Sequence, residues 1–373
     1  MRYNSQGLKC SIALNITGVT KHQYYYKPTG KKSGRPVSSH TLQVDGTLIE
    51  NEKVVAQIVE IKSDPDTNYG YIKMTYALKQ QDYLINPKKT YRLMKSNQLL
   101  KSKIKSSGKT YVKYRKVLPN GPLELLEMDI KMVWLECIKK HAYILTLIDT
   151  FTRVCLHRIA KTSIKKQDVK EFWDVVIQEY LQSNDCLNSP IEIEVRNDND
   201  KRFSAKMIQN YFKENHLNQV FTHPYTPQEN GHIESFHAIL SQHLKPYLFW
   251  DLQELEENLN LFYQKYNFKR IHASIAYLAP QIFWRVWNLG YVNKSIDKHN
   301  RKIKFKLKIP YHMVKDCSGK QEPKRSILHS QQREDNKMNS AESSNDFRYK
   351  QSPVVASCNS NLDLFEYISK NQM

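Results

Sequence analysis

Three acidic residues that lie far apart in the sequence are the chain's first candidates for chemistry. Asp129 lies inside the apolar run 125–130, and Asp198 and Glu234 lie in polar segments, with 35 residues between them. Carboxylates suit Mg²⁺ or Mn²⁺, because these hard cations prefer oxygen ligands and bind between a few acidic side chains and a substrate phosphate. The spacing alone is weak support, since 37 acidic residues offer many accidental pairs. Whether these acids form a metal site has to be judged from the residues around each of them.

The local sequences form a more specific pattern. Asp198 is followed by Asn199 and Phe203, and Glu234 ends a P-x-x-N-G-x-x-E motif that begins at Pro227. This arrangement resembles the catalytic core of the DDE recombinases, the superfamily of retroviral integrases and insertion-sequence transposases. The segment 266–272 and a later proline, Pro280, also resemble the family's Y-N-x-x-R-x-H motif and late proline. The resemblance covers about 123–287, a little under half of the chain.

The resemblance implies a fold and a mechanism. It implies an RNase H-like core in which Asp129, Asp198 and Glu234 are both the catalytic residues and the metal ligands. Two Mg²⁺ (or Mn²⁺) ions bridged by Asp129 would stabilise the attacking and leaving oxygens at a DNA phosphorus. Water would nick the DNA at an insertion-sequence end, and the exposed 3′-OH would then join target DNA. We therefore expect a transposase acting on element ends and target DNA, as a homo-oligomer.

Two other functions remain open from the sequence. A catalytically silent relative would bind the element ends as a repressor without cleaving them. An RNase H-type nuclease acting on RNA–DNA hybrids would share the core, but it would leave the helical units before the core unexplained. A cleavage assay with and without Mg²⁺ separates the transposase from the silent relative.

The charge distribution also indicates a polyanionic partner. The net charge is +20, and residues 1–44 carry seven Lys or Arg residues without one acid. Residues 83–123 carry eleven, again without an acid. Such a basic chain is expected to bind nucleic acid, although a merely basic soluble surface is the alternative on charge alone.

The residues predicted to contact DNA fall into two groups. Four cations follow one predicted helix, which could enter a groove or track phosphates, or could form only a solvated basic face: Lys88, Lys89, Arg92 and Lys95. Five others lie in or after the Glu234 motif: Asn230, Gly231, His237, Arg270 and His272. Asn230 and Gly231 are expected to shape the start of the Glu234 helix.

Five regions are predicted along the chain. They are a helix-turn-helix fragment with a basic linker (1–40), a helical DNA-binding domain (45–100), a basic linker (101–120), the RNase H-like catalytic core (121–290), and a basic strand with a disordered tail (291–373). For residues 1–26, an amphipathic helix that packs elsewhere is as good an interpretation as half of a helix-turn-helix. The middle unit has helical periodicity at 54–61 and 72–80, and Pro87 suits a helix start.

The core has the pattern of an α/β domain with a mixed five-stranded sheet. Strands are predicted at about 124–134, 141–149, 153–160, 191–196 and 218–222. Helices are predicted at about 166–181, 204–215, 229–245 and 251–266. Three consecutive strands followed by alternating helices and strands describe the RNase H-like fold. Beyond the core, 302–310 alternates lysines with apolar residues, which predicts a strand that needs a partner.

The remaining composition bounds the class of protein. Six cysteines are scattered without a C-x-x-C pair, so we predict no structural zinc and a reducing compartment. No signal peptide or long apolar run is present, so the expected location is the bacterial cytoplasm, associated with the nucleoid and not with a membrane.

Two positions depart from the family pattern, and a further acid, Asp149, could be mistaken for a metal ligand. Asp200 occupies the place of a glycine, where a left-handed turn and an added charge near the metals are expected, so Asp200→Gly should modestly raise cleavage. Lys131 replaces a small polar residue two positions after the first acid. Asp149 is interpreted as a turn acid that caps the backbone or pairs with Arg153, and not as a ligand.

Overall fold

The computed structural model describes residues 6–27, 37–101, 118–187, 192–223, 226–297 and 302–315. The predicted disordered tail and most of the two basic linkers lie outside these residues. Within them, no helix is both long enough and apolar enough to cross a membrane. The four cysteines of this part of the chain are free thiols.

Two short helices open the described chain. α1 (Cys10–Thr17) ends at Gly18, whose φ of 67° lies in the left-handed region that glycine adopts without steric cost. α2 (Lys21–Tyr25) begins with a capping box. The Thr20 hydroxyl oxygen accepts from the Gln23 backbone amide, and the Gln23 side-chain oxygen accepts from the Thr20 backbone amide. Residues 10–25 thus form two short helices that are separated by a turn at Gly18.

The second unit contains the three predicted helices and a small sheet that was not predicted. The helices are α3 (Asn51–Ser63), α4 (Tyr71–Gln80) and α5 (Pro87–Ser96). The sheet joins β1 (His40–Gln43) to β2 (Leu48–Glu50) and β3 (Tyr83–Leu84), all antiparallel. Strands of two to four residues are too short to show the alternation on which strand prediction depends.

The core sheet has the predicted RNase H-like topology. Its strands are β4 (Leu125–Leu135), β5 (Lys140–Asp149), β6 (Cys155–Lys161), β7 (Ile193–Asn197) and β8 (Leu217–Phe221), in the order β6-β5-β4-β7-β8. β4, β5 and β6 are antiparallel neighbours, whereas β7 runs parallel to β4 and β8 runs parallel to β7. β4 is therefore central and hydrogen-bonded on both edges.

Helices cover both faces of this sheet. On one face lie α6 (Lys166–Val176), which continues as a short π-helix to Gln182, and α7 (Lys206–Glu214). On the other face lie α8 (Gly231–Leu244) and α9 (Leu252–Phe268). Side chains alternate along a strand, so Leu126 and Met128 of β4 point to the α6 face, and the odd-numbered residues of β4 point to α8.

The end of the core packs around one aromatic cluster. α10 (Pro280–Asn288) leads into an antiparallel hairpin of β9 (Val292–Asp297) and β10 (Lys302–Leu307). β10 is the predicted basic strand, and β9 is the partner that it required. Phe305 of β10 packs edge-on against Phe151 and Phe283, so the apolar face of the hairpin is seated on the core while the lysines face outward.

The second unit is joined to the core by specific contacts. Ile271 is buried in the hydrophobic cluster of the second unit, and its amide donates to the Tyr69 hydroxyl at 2.9 Å. Asp66 is 2.9 Å from the Nδ1 atom of His243, near the end of α8. Tyr76 stacks on Tyr277 at a centroid distance of 3.8 Å. These contacts fix the second unit against the α8–α9 side of the core.

Burial of the apolar face of α8 should dominate the stability of this side of the core. Leu240 is fully buried, whereas Leu248 is 83% exposed just after α8. We expect Leu240→Ala to lower the free energy of unfolding by about 2–5 kcal/mol, because it removes a buried side chain and leaves a cavity. Leu248→Ala, the matched control, should change it by about 0.5 kcal/mol or less. Urea unfolding of both variants measures the difference, and equal losses would contradict this packing.

Candidate active site

The first two acids of the site lie on one strand. Glu127 and Asp129 are two residues apart on β4, so both side chains face α8. Asp129 accepts a hydrogen bond from the Ile130 amide at 2.7 Å, and its Oδ2 atom is 3.2 Å from Nδ1 of His237 on α8. His237 is predominantly buried, and its Nε2 atom has no partner among the described residues. The central strand therefore presents a carboxylate to the helix that carries Glu234.

Asp198 is placed beside β4 by parallel strand pairing. β7 runs parallel to β4 in the register Glu127 to Arg196, and Asp198 directly follows the end of β7. Burial raises the pKa of Asp198, and the charge of Asp129 raises it further. The charge of Asp129 thus acts on Asp198, which follows the strand next to β4.

Glu234 approaches from the helix. It lies in the first turn of α8, on the polar side, while Ile233, Phe236 and Leu240 are buried against the sheet. The helix therefore has a packed apolar face and a polar side that carries Glu234. Burial raises the pKa of Glu234, and the charges of Asp129 and then Glu127 add to the rise. Asp129 is thus the common electrostatic neighbour of the other two predicted acids.

The chemistry of these donors fits a hard divalent cation. Carboxylates that raise one another's pKa values would be relieved by a cation between them, and oxygen donors are what Mg²⁺ and Mn²⁺ prefer. In the described part of the chain, however, no three His, Cys, Asp or Glu side chains already have the arrangement of a metal site. Asp129 is instead turned to His237.

Glu127 is a fourth acid that sequence reasoning missed. It is fully buried, and its oxygens accept from the amides of His232 and Ile233 at 2.9 and 2.8 Å. Nδ1 of His232 lies 2.7 Å from the other oxygen. Burial raises the pKa of Glu127 to about 7, although the hydrogen bond from the Ile233 amide and the charges of Arg153 and Arg196 oppose that rise. An acid inside an apolar run was the available signal.

The loop after β7 differs from the expectation. Asp200 does not have the left-handed backbone that a family glycine would suggest. Its carboxylate instead pairs with Arg202 through two bonds of 2.8 and 2.5 Å and accepts from the Arg202 amide at 2.8 Å. The bond to Arg202 lowers the pKa of Asp200. The predicted left-handed turn is wrong, and the added charge is neutralised locally.

Asp149 has the capping role that was predicted. It is fully buried, and it accepts from the amides of Leu123, Phe151 and Thr152 at 3.0–3.3 Å. The Thr152 hydroxyl donates to it at 2.5 Å. Its carboxylate oxygens are therefore occupied by the turn between β5 and β6.

The start of α8 leaves room at the surface. Asn230 is buried, its side chain caps nothing, and its Oδ1 atom has no partner among the described residues. Gly231 has an ordinary helical φ of −63°, and a Cβ added there would meet no atom within 4 Å. Neither backbone strain nor packing demands a glycine at this position.

The predicted cations of α5 fall into two pairs. Lys88 and Lys95 are exposed. Lys89 donates to the His40 carbonyl, and Arg92 donates to the Ser38 carbonyl at 3.3 Å. The second pair therefore ties α5 to the chain that enters β1, and the first pair is free to face a ligand.

Arg270 and His272 lie at the junction with the second unit. Arg270 donates to the Asp66 carbonyl, and its Nε atom is buried without a partner among the described residues. Burial lowers the pKa of His272 well below its usual range, and its ring packs against Tyr266. The structure thus places these two residues beside Asp66 and Tyr266, and their contact with DNA stays a prediction.

Comparison with known proteins agrees with this geometry. Two family profiles described as Integrase core domain match residues 119–227 and 215–280, and one described as HTH-like domain matches residues 50–106. A 31.7 kDa protein of insertion element IS407 from Burkholderia multivorans is 24% identical over 63% of this chain and 81% of its own length. A putative integrase of Spiroplasma virus SpV1-C74 is 25% identical over 52% of this chain and 56% of its own.

Solved structures with detectable similarity include two catalytic cores. The catalytic core domain of BIV integrase is 22% identical over 45% of this chain and 99% of its own, with a TM-score of 0.33. The catalytic domain of Mos1 mariner transposase is 10% identical over 44% of this chain and 74% of its own, with a TM-score of 0.35. The matched profiles place an integrase core domain at residues 119–280 and an HTH-like domain ahead of it.

Proposed function

We propose that this protein is the transposase of an insertion sequence, which cuts DNA at the element ends and joins the 3′-OH to target DNA. The observation that supports the proposal is that Asp129, on the central strand, acts electrostatically on both Asp198, after the parallel strand β7, and Glu234, on α8. Like charges are costly to hold together. A site of this kind gains most from a substrate that arrives with divalent cations.

The three acids would hold Mg²⁺ or Mn²⁺, and two ions is the number that the resemblance implies. Bound there, the cations would supply charge stabilisation at the attacking and leaving oxygens of a phosphoryl transfer. The chain's own contribution is positional. β4 and β7 fix Asp129 and Asp198 through backbone pairing, and the apolar face of α8 fixes Glu234.

The reaction would have two steps that use the same residues. Water attacks phosphorus at the element end, the P–O3′ bond breaks, and the released 3′-OH carries the proton. That 3′-OH then attacks a target phosphorus and displaces a target 3′-OH, so one phosphodiester bond is exchanged for another. No covalent bond to the protein forms, and the acids are unchanged at the end of each step.

DNA recognition would belong to the upstream domain. The exposed lysines of α5 and the acid-free basic regions both favour a bound polyanion. Paired element ends require more than one protein molecule, so the working form would be a homo-oligomer on DNA.

One observation favours the silent relative as a second candidate. Asp129 pairs with His237, and no ready-made metal site is found among the described residues. A protein that only bound the element ends would tolerate this arrangement. Nicking of end-containing DNA that depends on Mg²⁺ would exclude the silent alternative, and its absence at full DNA binding would favour it.

Removal of any one acid should abolish chemistry and spare DNA binding. We expect Asp129→Ala, Asp198→Ala and Glu234→Ala to lower nicking and joining by at least about 10³-fold, because each loses a metal ligand on which charge stabilisation depends. Glu171→Ala, an exposed acid on α6, is the control and should keep full activity. Activity is measured on labelled end DNA, with affinity measured separately by gel shift. Full activity in Asp198→Ala would identify a different second ligand.

Loss of the exposed α5 cations should weaken binding through electrostatics. We expect Lys88→Ala combined with Lys95→Ala to lower affinity for end DNA and to reduce the salt dependence of log K by about one unit per lost phosphate contact. Lys213→Ala, at an exposed position on α7, should change neither the affinity nor its salt dependence. Fluorescence anisotropy across a salt series gives both, and an unchanged slope in the double variant would remove α5 from the DNA interface.

Loss of the Asp200 carboxylate should now impair the site. Asp200 holds Arg202 and the loop that begins at Asp198, so we expect Asp200→Gly to lower Mg²⁺-dependent nicking about tenfold or more, in contrast to the gain that the sequence suggested. Asp200→Asn keeps an acceptor for the Arg202 amide and should lose less. Nicking is compared across a Mg²⁺ titration, with melting temperature as the control for folding. A gain in Asp200→Gly would restore the sequence-based expectation.

A further inference from the structure

Glu127 caps the amino-terminal turn of α8 from another element of the fold. The first amides of a helix have no partner inside the helix, and a side chain just before it usually accepts from them. Asn230 precedes α8, but its side chain makes no such bond. Glu127 accepts from the amides of His232 and Ile233 in its place, from a strand more than 100 residues earlier.

The same carboxylate fixes the side chain of His232. Oε1 of Glu127 is 2.7 Å from Nδ1 of His232, while Oε2 takes both amides. Both oxygens are thus engaged with one helical turn. A negative charge at the amino end of a helix is also favoured by the helix dipole.

The position of Glu127 gives this contact its consequence. Glu127 is two residues before Asp129 on β4, and the turn that it holds runs directly into Glu234. β4 is paired along both edges and cannot shift without breaking the sheet. The distance between Asp129 and Glu234 therefore depends on where Glu127 places the start of α8.

Stability alone is a poor reason for this arrangement. A fully buried carboxylate must give up its hydration, and an apolar pair of similar size often stabilises a protein at least as well. A hydrogen-bonded acid differs from an apolar contact in direction, because it sets distance and angle. Glu127 supplies a directional contact between two elements that each carry a proposed ligand.

We propose that Glu127 is a positioning residue that sets the geometry of the divalent-cation site by holding the first turn of α8 against β4. This inference rests on the proposed function, because it concerns the site formed by Asp129, Asp198 and Glu234. Glu127 itself touches neither substrate nor cation. It acts through the backbone amides of α8.

Glu127→Gln on the full-length protein is the main test. Glutamine is isosteric but uncharged, and it offers one carbonyl oxygen where Glu127 engages both of its oxygens. We expect the Mn²⁺ concentration for half-maximal nicking, and the Mn²⁺ concentration for half of the metal-induced rise in melting temperature, each to increase about tenfold or more. DNA affinity should stay unchanged, because no phosphate-contacting cation is lost.

Leu255→Ala separates positioning from general destabilisation. Leu255 is fully buried on α9, and it lies outside the first turn of α8. It should lower the melting temperature without changing either Mn²⁺ midpoint. Glu127→Asp, which keeps the charge but shortens the side chain, serves if Glu127→Gln does not fold, and it should raise both midpoints too.

The melting series keeps the two proposals separable. If Mn²⁺ raises the melting temperature of the wild-type protein and of Asp129→Ala equally, the metal site of the proposed function is wrong. If the rise depends on Asp129 while the Glu127 variants keep wild-type midpoints, the site stands and Glu127 has no positioning role. Equal shifts in Glu127→Gln and Leu255→Ala would likewise overturn it.

Discussion

Repulsion between carboxylates on and beside the central strand β4 is the constraint on which the rest of this core depends. Asp129 raises the pKa values of Asp198, Glu234 and Glu127, so four acids share one electrostatic neighbourhood. Nothing in their mutual interaction holds them together. Their positions are imposed by β4 in the middle of the sheet, by parallel β7 beside it, and by the buried face of α8. The hydrophobic clusters on the two faces provide the free energy that this arrangement costs.

The sequence predicted the parts of this site that depend on local pattern. Asp129 lies in an apolar strand, Asp198 follows the next parallel strand, and Glu234 lies on an amphipathic helix, all of which are visible as short-range signals. The RNase H-like topology followed from the order of strands and helices. The capping of Asp149 was also foreseen, because it involves residues within the same turn.

Features that depend on distant partners were beyond the sequence. Glu127 is defined by amides of α8, and no periodicity within β4 indicates them. β1, β2 and β3 are too short to produce a strand pattern, and β1 pairs with β3 through residues 40 to 42 positions apart (Leu42 with Leu84, Gln43 with Tyr83). Asp200 was interpreted from the glycine that a family pattern would place there, yet its structure follows from Arg202 two residues later. A local ion pair replaced the turn geometry.

α8 links the candidate site to the upstream unit. Glu234 lies in its first turn and His243 in its last, and a helix of 14 residues spans about 21 Å at 1.5 Å per residue. His243 contacts the carboxylate of Asp66 in the upstream unit. The backbone carbonyl of Asp66 also accepts a hydrogen bond from Arg270, which follows α9. One rigid helix thus connects the acids to the junction with the HTH-like domain. Since α5 belongs to that domain and shares its buried core with Ile271, the exposed lysines of α5 and the acids are held in one frame. DNA bound along α5 would therefore meet the acids at a distance fixed by the fold and not by a flexible linker.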